Sequence, residues 1–202
     1  MSQRNVILEG VHNMFTRFGV KSITMDDIAS KLTMSKKTIY QYFKDKDSLV
    51  NEYVKNFLDE QEREITAISK KSNDVIEEMV LCSDYLKKVV SNINPTVLFD
   101  LRKYHPTAFG IFVKHKEDFT ISHLRELLRK GIKDGLFRKD INVEILAKMR
   151  IEQIEQGYNP DFFPVDKFNP AEVQFQIFEH FMYGICTLKG HETIYKYRPV
   201  NE

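Results

Sequence analysis

Two hydroxyl residues, Thr24 and Ser35, each stand just ahead of an apolar run of helical period, and only ten residues separate them. A hydroxyl in such a place accepts from the backbone N–H of the third helical residue and starts a helix. The segment between the two caps therefore has room for one short helix and a connector, Thr33-Met34, of about one turn. Met25, Ile28, Ala29 and Leu32 fall on one face of that helix, and Asp26 and Asp27 complement its positive end. Two short helices so tightly joined must cross steeply, which predicts a helix-turn-helix over about residues 24–43. Ahead of them Ile7, Val11, Met14, Phe15 and Phe18 share one face of a first helix. Gly19 follows at once and is placed to end it with left-handed backbone.

The rest of the chain reads in the same period. Its 202 residues hold only eight glycines and six prolines, and no stretch alternates as a strand would, so the fold class expected is all-α. Helices are expected from 47 to about 70–73 and over 74–92, 95–103, 106–134, 142–157 and 170–189, with Gly131 weakening the late turns of the fourth. The segment 157–170 holds three of the prolines and is read as a long loop. No window is apolar enough to span a membrane, and the N-terminal residues lack a hydrophobic signal core. A cytoplasmic protein without membrane contact is the expectation, with Cys82 and Cys186 as buried thiols.

Charge is unevenly spread. Residues 1–50 carry eight Lys or Arg against five Asp or Glu, and the remainder carries 22 against 24. A mildly cationic end on a near-neutral body suits local contact with phosphates. The helix starting at Ser35 would bury Ile39 and Phe43 and turn Lys36, Lys37, Tyr40 and Gln41 outward. Ammonium groups pair with phosphates or guanine edges, and glutamine reads adenine. The plain alternative is that these are solvated lysines beside half-buried tyrosines, and spacing alone does not choose between the two.

The motif does. Phe18-Gly19, Thr24-Met25-Asp26-Asp27-Ile28-Ala29, Ser35-Lys36-Lys37-Thr38-Ile39-Tyr40-Gln41-Tyr42-Phe43 and Lys46 before Leu49 follow in order and spacing the pattern of the tetracycline-repressor (TetR) family, which the first fifty residues closely resemble. The resemblance implies an N-terminal three-helix DNA-binding domain over 1–50 and a larger helical effector-binding and dimerisation domain over 51–202. It implies phosphate contacts from Thr24, Ser35, Thr38, Tyr40, Tyr42 and Lys46, with Lys36 and Lys37 entering the major groove. Two departures matter: the turn is Thr33-Met34 where the family usually has Gly-Val, and Lys37 stands where glycine is common. Thr33 must then accept backbone that glycine usually supplies.

Beyond Tyr53 the likeness is one of layout. The family dimerises through its last two long helices, here about 142–157 and 170–189, and Val173, Ile177, Phe181 and Ile185 form an apolar stripe on the second. A wholly internal helix is the alternative. Phe99, Tyr104, His105, Phe109 and Phe112 are the candidates to line an effector pocket for a lipophilic or aromatic small molecule, with ordinary core packing as the alternative for each. The histidines lack zinc spacing and no catalytic motif is present, so no metal, cofactor or catalytic residue is expected. The function expected is a dimeric repressor that binds a palindromic operator in double-stranded DNA and releases it with an effector. The rivals are an effector-independent activator or architectural DNA-binding protein, or a small-molecule carrier or enzyme on a helical scaffold.

Overall fold

A computed structural model describes residues 2–198 of the chain. Regular structure among them is helical: α1 Gln3–Phe18, α2 Met25–Leu32, α3 Lys36–Tyr40, α4 Lys46–Lys71, α5 Val75–Ser91, α6 Thr96–Tyr104, α7 Pro106–His115, α8 Ser122–Lys133, α9 Val143–Gly157, α10 Pro170–Ile185 and α11 Leu188–Tyr197. A π-helical turn, Lys116–Ile121, joins α7 to α8. Short polar side chains start several of these helices, at Thr24 and Ser35 as expected. Thr24, Ser35, Asn142, Asn169 and Thr187 each accept from a backbone N–H in the first turn that follows them, satisfying donors no helical carbonyl can reach.

The chain packs as two compact units. The first runs to Glu62 and includes Asn92–Lys116, which contributes α6 and α7. Its core is Ile7, Val11, Phe15, Ile28, Ile39, Phe43 and Leu49, joined by Leu101 and Ala108. The second holds Arg63–Ser91 and the chain from Glu117 onward. Its α5 packs on α8, α10 and α11, and α9 lies against α8 and α10, around Ile76, Leu128, Phe137, Phe178 and Met182.

Three local expectations change. Phe18, placed on the inner face of α1, is 53% exposed beside the Arg17 guanidinium, because Gly19 ends the helix before Phe18 can reach the core. Gly131 does not fray α8; the Phe137 ring occupies the space a Cβ there would need, 2.0 Å away, so the glycine is a packing site. The helix expected over 170–189 stops at Ile185. There the Ile185 carbonyl accepts from Arg138 N–H at 2.8 Å and Thr187 N–H donates to the Leu136 carbonyl at 3.0 Å. That short pairing straightens Cys186, and Thr187 then caps α11, which the periodicity had not marked.

Candidate nucleic-acid interface

The first three helices place α3 through apolar contacts behind it. Ile39 is fully buried and Phe43 nearly so, and the guanidinium of Arg4 covers the Phe43 ring at 5.2 Å. The turn before α3 carries its one conformational cost. Thr33 adopts φ 54°, ψ 38°, the only positive φ outside glycine among the described residues. This is the left-handed backbone for which the family usually has glycine, and in a β-branched residue it costs roughly 1–2 kcal/mol. At the other turn Gly19 has φ 80°, and a Cβ there would stand 2.8 Å from Thr96 Oγ1 and 3.0 Å from Asp100 Oδ2. A side chain there would strain the backbone and force Thr96 and Asp100 to shift.

With Ile39 and Phe43 held, Ser35, Lys36, Lys37, Tyr40 and Gln41 lie exposed, and Thr38 and Tyr42 are half-buried. The Ser35 hydroxyl accepts from Thr38 N–H at 3.0 Å and lies 2.8 Å from the Thr38 hydroxyl. Tyr42 donates to Gln3 Oε1 at 3.4 Å. Lys37 has no ion-pair partner among the described residues. Lys36 pairs with Asp26 Oδ2 at 2.6 Å, and that carboxylate holds its ammonium pKa above the ordinary lysine value. Both partners are largely exposed, so a phosphate competes with Asp26 on nearly even terms. Asp26 is an acid on the cationic side of the molecule for which the sequence pattern supplied only a helix-end role.

Two more of the expected contacts, Thr24 and Lys46, are also engaged within the chain. The Thr24 hydroxyl accepts from Asp27 N–H at 3.2 Å and donates to Asp27 Oδ2 at 2.6 Å, which keeps the Asp27 carboxyl below its usual range. It remains exposed. Lys46 is placed differently. Its Nζ donates to the Val20 carbonyl at 2.7 Å, while the N–H of the same peptide group, on Lys21, donates to Asp100 Oδ2 at 2.9 Å. Both polar atoms of the Val20–Lys21 peptide are thus gripped, one from α4 and one from α6. Partial burial pushes the Lys46 ammonium down, against the nearby Asp100, Asp47 and Asp27 carboxylates. A phosphate contact from Lys46 would have to break this clamp. Asp100 and Asn94, whose amide donates to the Arg17 carbonyl at 3.1 Å, belong to the same support, and their partners lie 79 and 77 residues away in sequence.

The five candidates for an effector pocket do not converge. Phe99 is 57% exposed, with Lys103 Nζ 5.4 Å from its ring. Tyr104 lies between Lys21 and Lys103, and a hydrogen bond from Lys21 leads in lowering its pKa. His105 is buried with Nδ1 2.6 Å from Asp47 Oδ1. Phe109 and Phe112 stack at 6.3 Å against the first unit's core. The stripe assigned to a partner chain is likewise occupied at home: Val173, Phe181 and Ile185 are buried in the monomer, and Ile177 packs where Gly157 lacks a side chain. What α9 and α10 leave outward includes Ile145, Met149, His180 and Gly184, together with charged residues such as Glu144, Lys148 and Glu172.

Residues 7–53 match the model of the bacterial regulatory proteins of the tetR family. The chain is 29% identical over 168 residues to the uncharacterized HTH-type transcriptional regulator YvaF of Bacillus subtilis (strain 168), covering 81% of this chain and 86% of that one. It is 29% identical over 150 residues to the HTH-type transcriptional repressor KstR2 of Rhodococcus jostii (strain RHA1), covering 71% and 72%. The fold matches the crystal structure of the regulator FadR from Bacillus subtilis in complex with stearoyl-CoA, with a TM-score of 0.72 at 16% identity over 91% of this chain and all of that one. Residues 7–53 thus carry the pattern of the tetR family, and with these relatives the chain is a DNA-binding transcriptional regulator.

Proposed function

We propose that this regulator is a cytoplasmic, non-enzymatic repressor that holds a palindromic operator as a homodimer and releases it when a small molecule binds the second unit. The observation that carries the DNA half is the outward set Lys36, Lys37, Tyr40 and Gln41, backed by buried Ile39 and Phe43. Lys36 and Lys37 enter the major groove; Thr24, Ser35, Thr38, Tyr40 and Tyr42 hold the flanking phosphates and Gln41 reaches a base edge. Lys46 supports the turn between α1 and α2 instead.

The homodimer covers the outward side of α9 and α10, where Ile145 and Met149 stand 62% and 41% exposed and Met149 lines a groove with Gly184. Apolar side chains next to a residue without one suit close helix approach across a two-fold axis. A dimer reads one face of B-DNA when its recognition helices sit about 34–36 Å apart. An effector that prefers a different separation releases the DNA. A thousandfold loss of affinity needs about 4 kcal/mol of differential binding, shared by two sites. A lipophilic or aromatic molecule suits the aromatic helical unit, and the similar FadR structure is a complex with stearoyl-CoA.

The test is Lys36→Ala with Lys37→Ala and Tyr40→Ala, assayed against a duplex enriched from random sequence. Affinity should fall, and the slope of log K against log salt should flatten, by up to about 1 for each lysine whose ammonium displaces a counterion in the groove. Unchanged affinity and slope would remove the assignment.

A further inference from the structure

Lys46 is taken up inside the first unit, yet the turn it grips carries another cation. Lys21 is exposed and follows Val20, whose carbonyl accepts from Lys46 Nζ at 2.7 Å. The Lys21 N–H donates to Asp100 Oδ2 at 2.9 Å, which fixes this backbone against α6. One turn further along α6, the Tyr104 ring centre lies 4.7 Å from Lys21 Nζ. Lys103 Nζ stands 5.4 Å from the same ring and 5.4 Å from the ring of Phe99, which is itself exposed. Two exposed ammonium groups, one from the turn after α1 and one from α6, thus converge on a single phenol. Hydrogen bonding from Lys21, with Lys103 in support, pulls the Tyr104 pKa down. Neither lysine has an ion-pair partner among the described residues. Asp100 adds least to raising the Lys21 pKa, after Tyr104, and it is buried with one oxygen spent on the backbone N–H.

This cluster continues the DNA face of the same unit. A run of contacts leads to it from the recognition helix. Lys36 of α3 pairs with Asp26 at 2.6 Å, and Asp27, next in the chain, accepts from the Thr24 hydroxyl at 2.6 Å. The Asp27 carboxylate and the Lys46 ammonium attract each other, and Lys46 in turn holds the peptide that leads into Lys21. Lys21 stands three residues before Thr24, a span of at most about 11 Å of chain. B-DNA carries one negative charge per about 1.7 Å of its axis, so a backbone that meets Thr24 presents further phosphates within that span. Two like charges held near one hydroxyl repel each other, and an anion between them relieves the repulsion. The ring faces of Phe99 and Tyr104 keep the Lys103 head in place for it.

We propose that Lys21, Lys103 and Tyr104 form a second phosphate-binding site, outside the helix-turn-helix, that holds the duplex backbone next to the stretch read by α3. The ammonium groups supply charge and the Tyr104 hydroxyl supplies a further donor. The site takes over, on this flank, the phosphate contact that the clamped Lys46 does not make. It reads no base, so it adds affinity for any duplex and leaves sequence preference to α3. The inference rests on the DNA-reading role given to α3 for the direction from which the duplex approaches.

The experiment uses the full chain and a labelled random-sequence duplex, with binding followed by fluorescence anisotropy from 50 to 200 mM salt. Lys21→Gln with Lys103→Gln should flatten the slope of log K against log salt by about 1.8 per bound protomer. Across that range the parent should then lose about 12-fold more affinity than the variant for each protomer bound. Lys55→Gln with Lys114→Gln removes the same charge from exposed positions elsewhere in the unit and should leave the slope unchanged. Tyr104→Phe, which keeps the ring and both cations, should weaken binding a few-fold at every salt concentration without moving the slope. An unchanged slope in the Lys21 and Lys103 variant, or equal flattening in the Lys55 and Lys114 variant, overturns the proposal. The role of α3 is read separately in its own alanine variant: if that variant loses its salt slope while the Lys21 and Lys103 variant keeps it, only the second site falls. If the parent binds no duplex at 50 mM salt, both fall.

Discussion

Lys46→Met separates a structural lysine from a DNA-contacting one. In the structure Nζ bonds the Val20 carbonyl at 2.7 Å while Asp100 takes the N–H of the same peptide at 2.9 Å. A hydrogen bond to a charged donor contributes about 1.5–3 kcal/mol when shielded. Lys46 is only partly buried, so solvent screening reduces this to about 1 kcal/mol. Methionine keeps most of the apolar stem and removes only the head. For a chain of this size a loss of about 1 kcal/mol lowers the melting temperature by about 2–4 °C. If Nζ touched a phosphate, its loss would flatten the salt slope by about 0.9 per protomer, or about 3.5-fold in affinity per contact between 50 and 200 mM salt. The assay pairs thermal melting with fluorescence anisotropy on a random-sequence duplex across that salt range. The clamp predicts a lower melting temperature and an unchanged slope. A slope flattened by about 0.9 per protomer, with melting unchanged, would refute it.

Thr33→Gly removes the left-handed cost at φ 54° but loosens the unfolded chain, for a net gain of about 0.5–1 kcal/mol in urea unfolding; a loss of stability would mean that Thr33 has no strain to relieve. Asp26→Asn frees Lys36 and removes a charge that repels phosphate, so non-specific duplex binding should tighten a few-fold at low salt, an effect that fades as salt rises. Asp27 is held below its usual pKa chiefly by the Thr24 hydroxyl, so its contribution is present above about pH 4 and lost as pH falls through the lower folded value. Asp27→Asn should flatten that acid limb of a stability–pH profile, and an identical limb in both proteins would show that the capping carboxylate adds nothing.

The parts legible in the sequence are those governed by neighbours along the chain. The hydroxyls of Thr24 and Ser35 reach N–H groups three residues on, Gly19 ends α1, and the missing turn glycine announced the strained Thr33. Period alone set Ile39 and Phe43 inward and the lysines outward. Misreadings fell where a distant partner intervenes. Phe18 was given to the core because period does not say where the last turn of a helix lies against its neighbours. Local aromatic density, which marks Phe99, Tyr104, His105, Phe109 and Phe112, is blind to Lys103 above Phe99 and Asp47 beside His105.

Thus the amino-acid order determined an all-helical chain, its capped helix-turn-helix and the side of α3 that faces outward, because helix period and capping act within a few residues. Tertiary packing alone decided that Lys46 grips a peptide 26 residues back, that Val173, Phe181 and Ile185 serve the monomer core, that α10 breaks against Leu136, and that Arg150 is buried with no counterion among the described residues. Each of these depends on which atoms of remote segments come within hydrogen-bonding or van der Waals reach, and spacing along one helix carries no information about that.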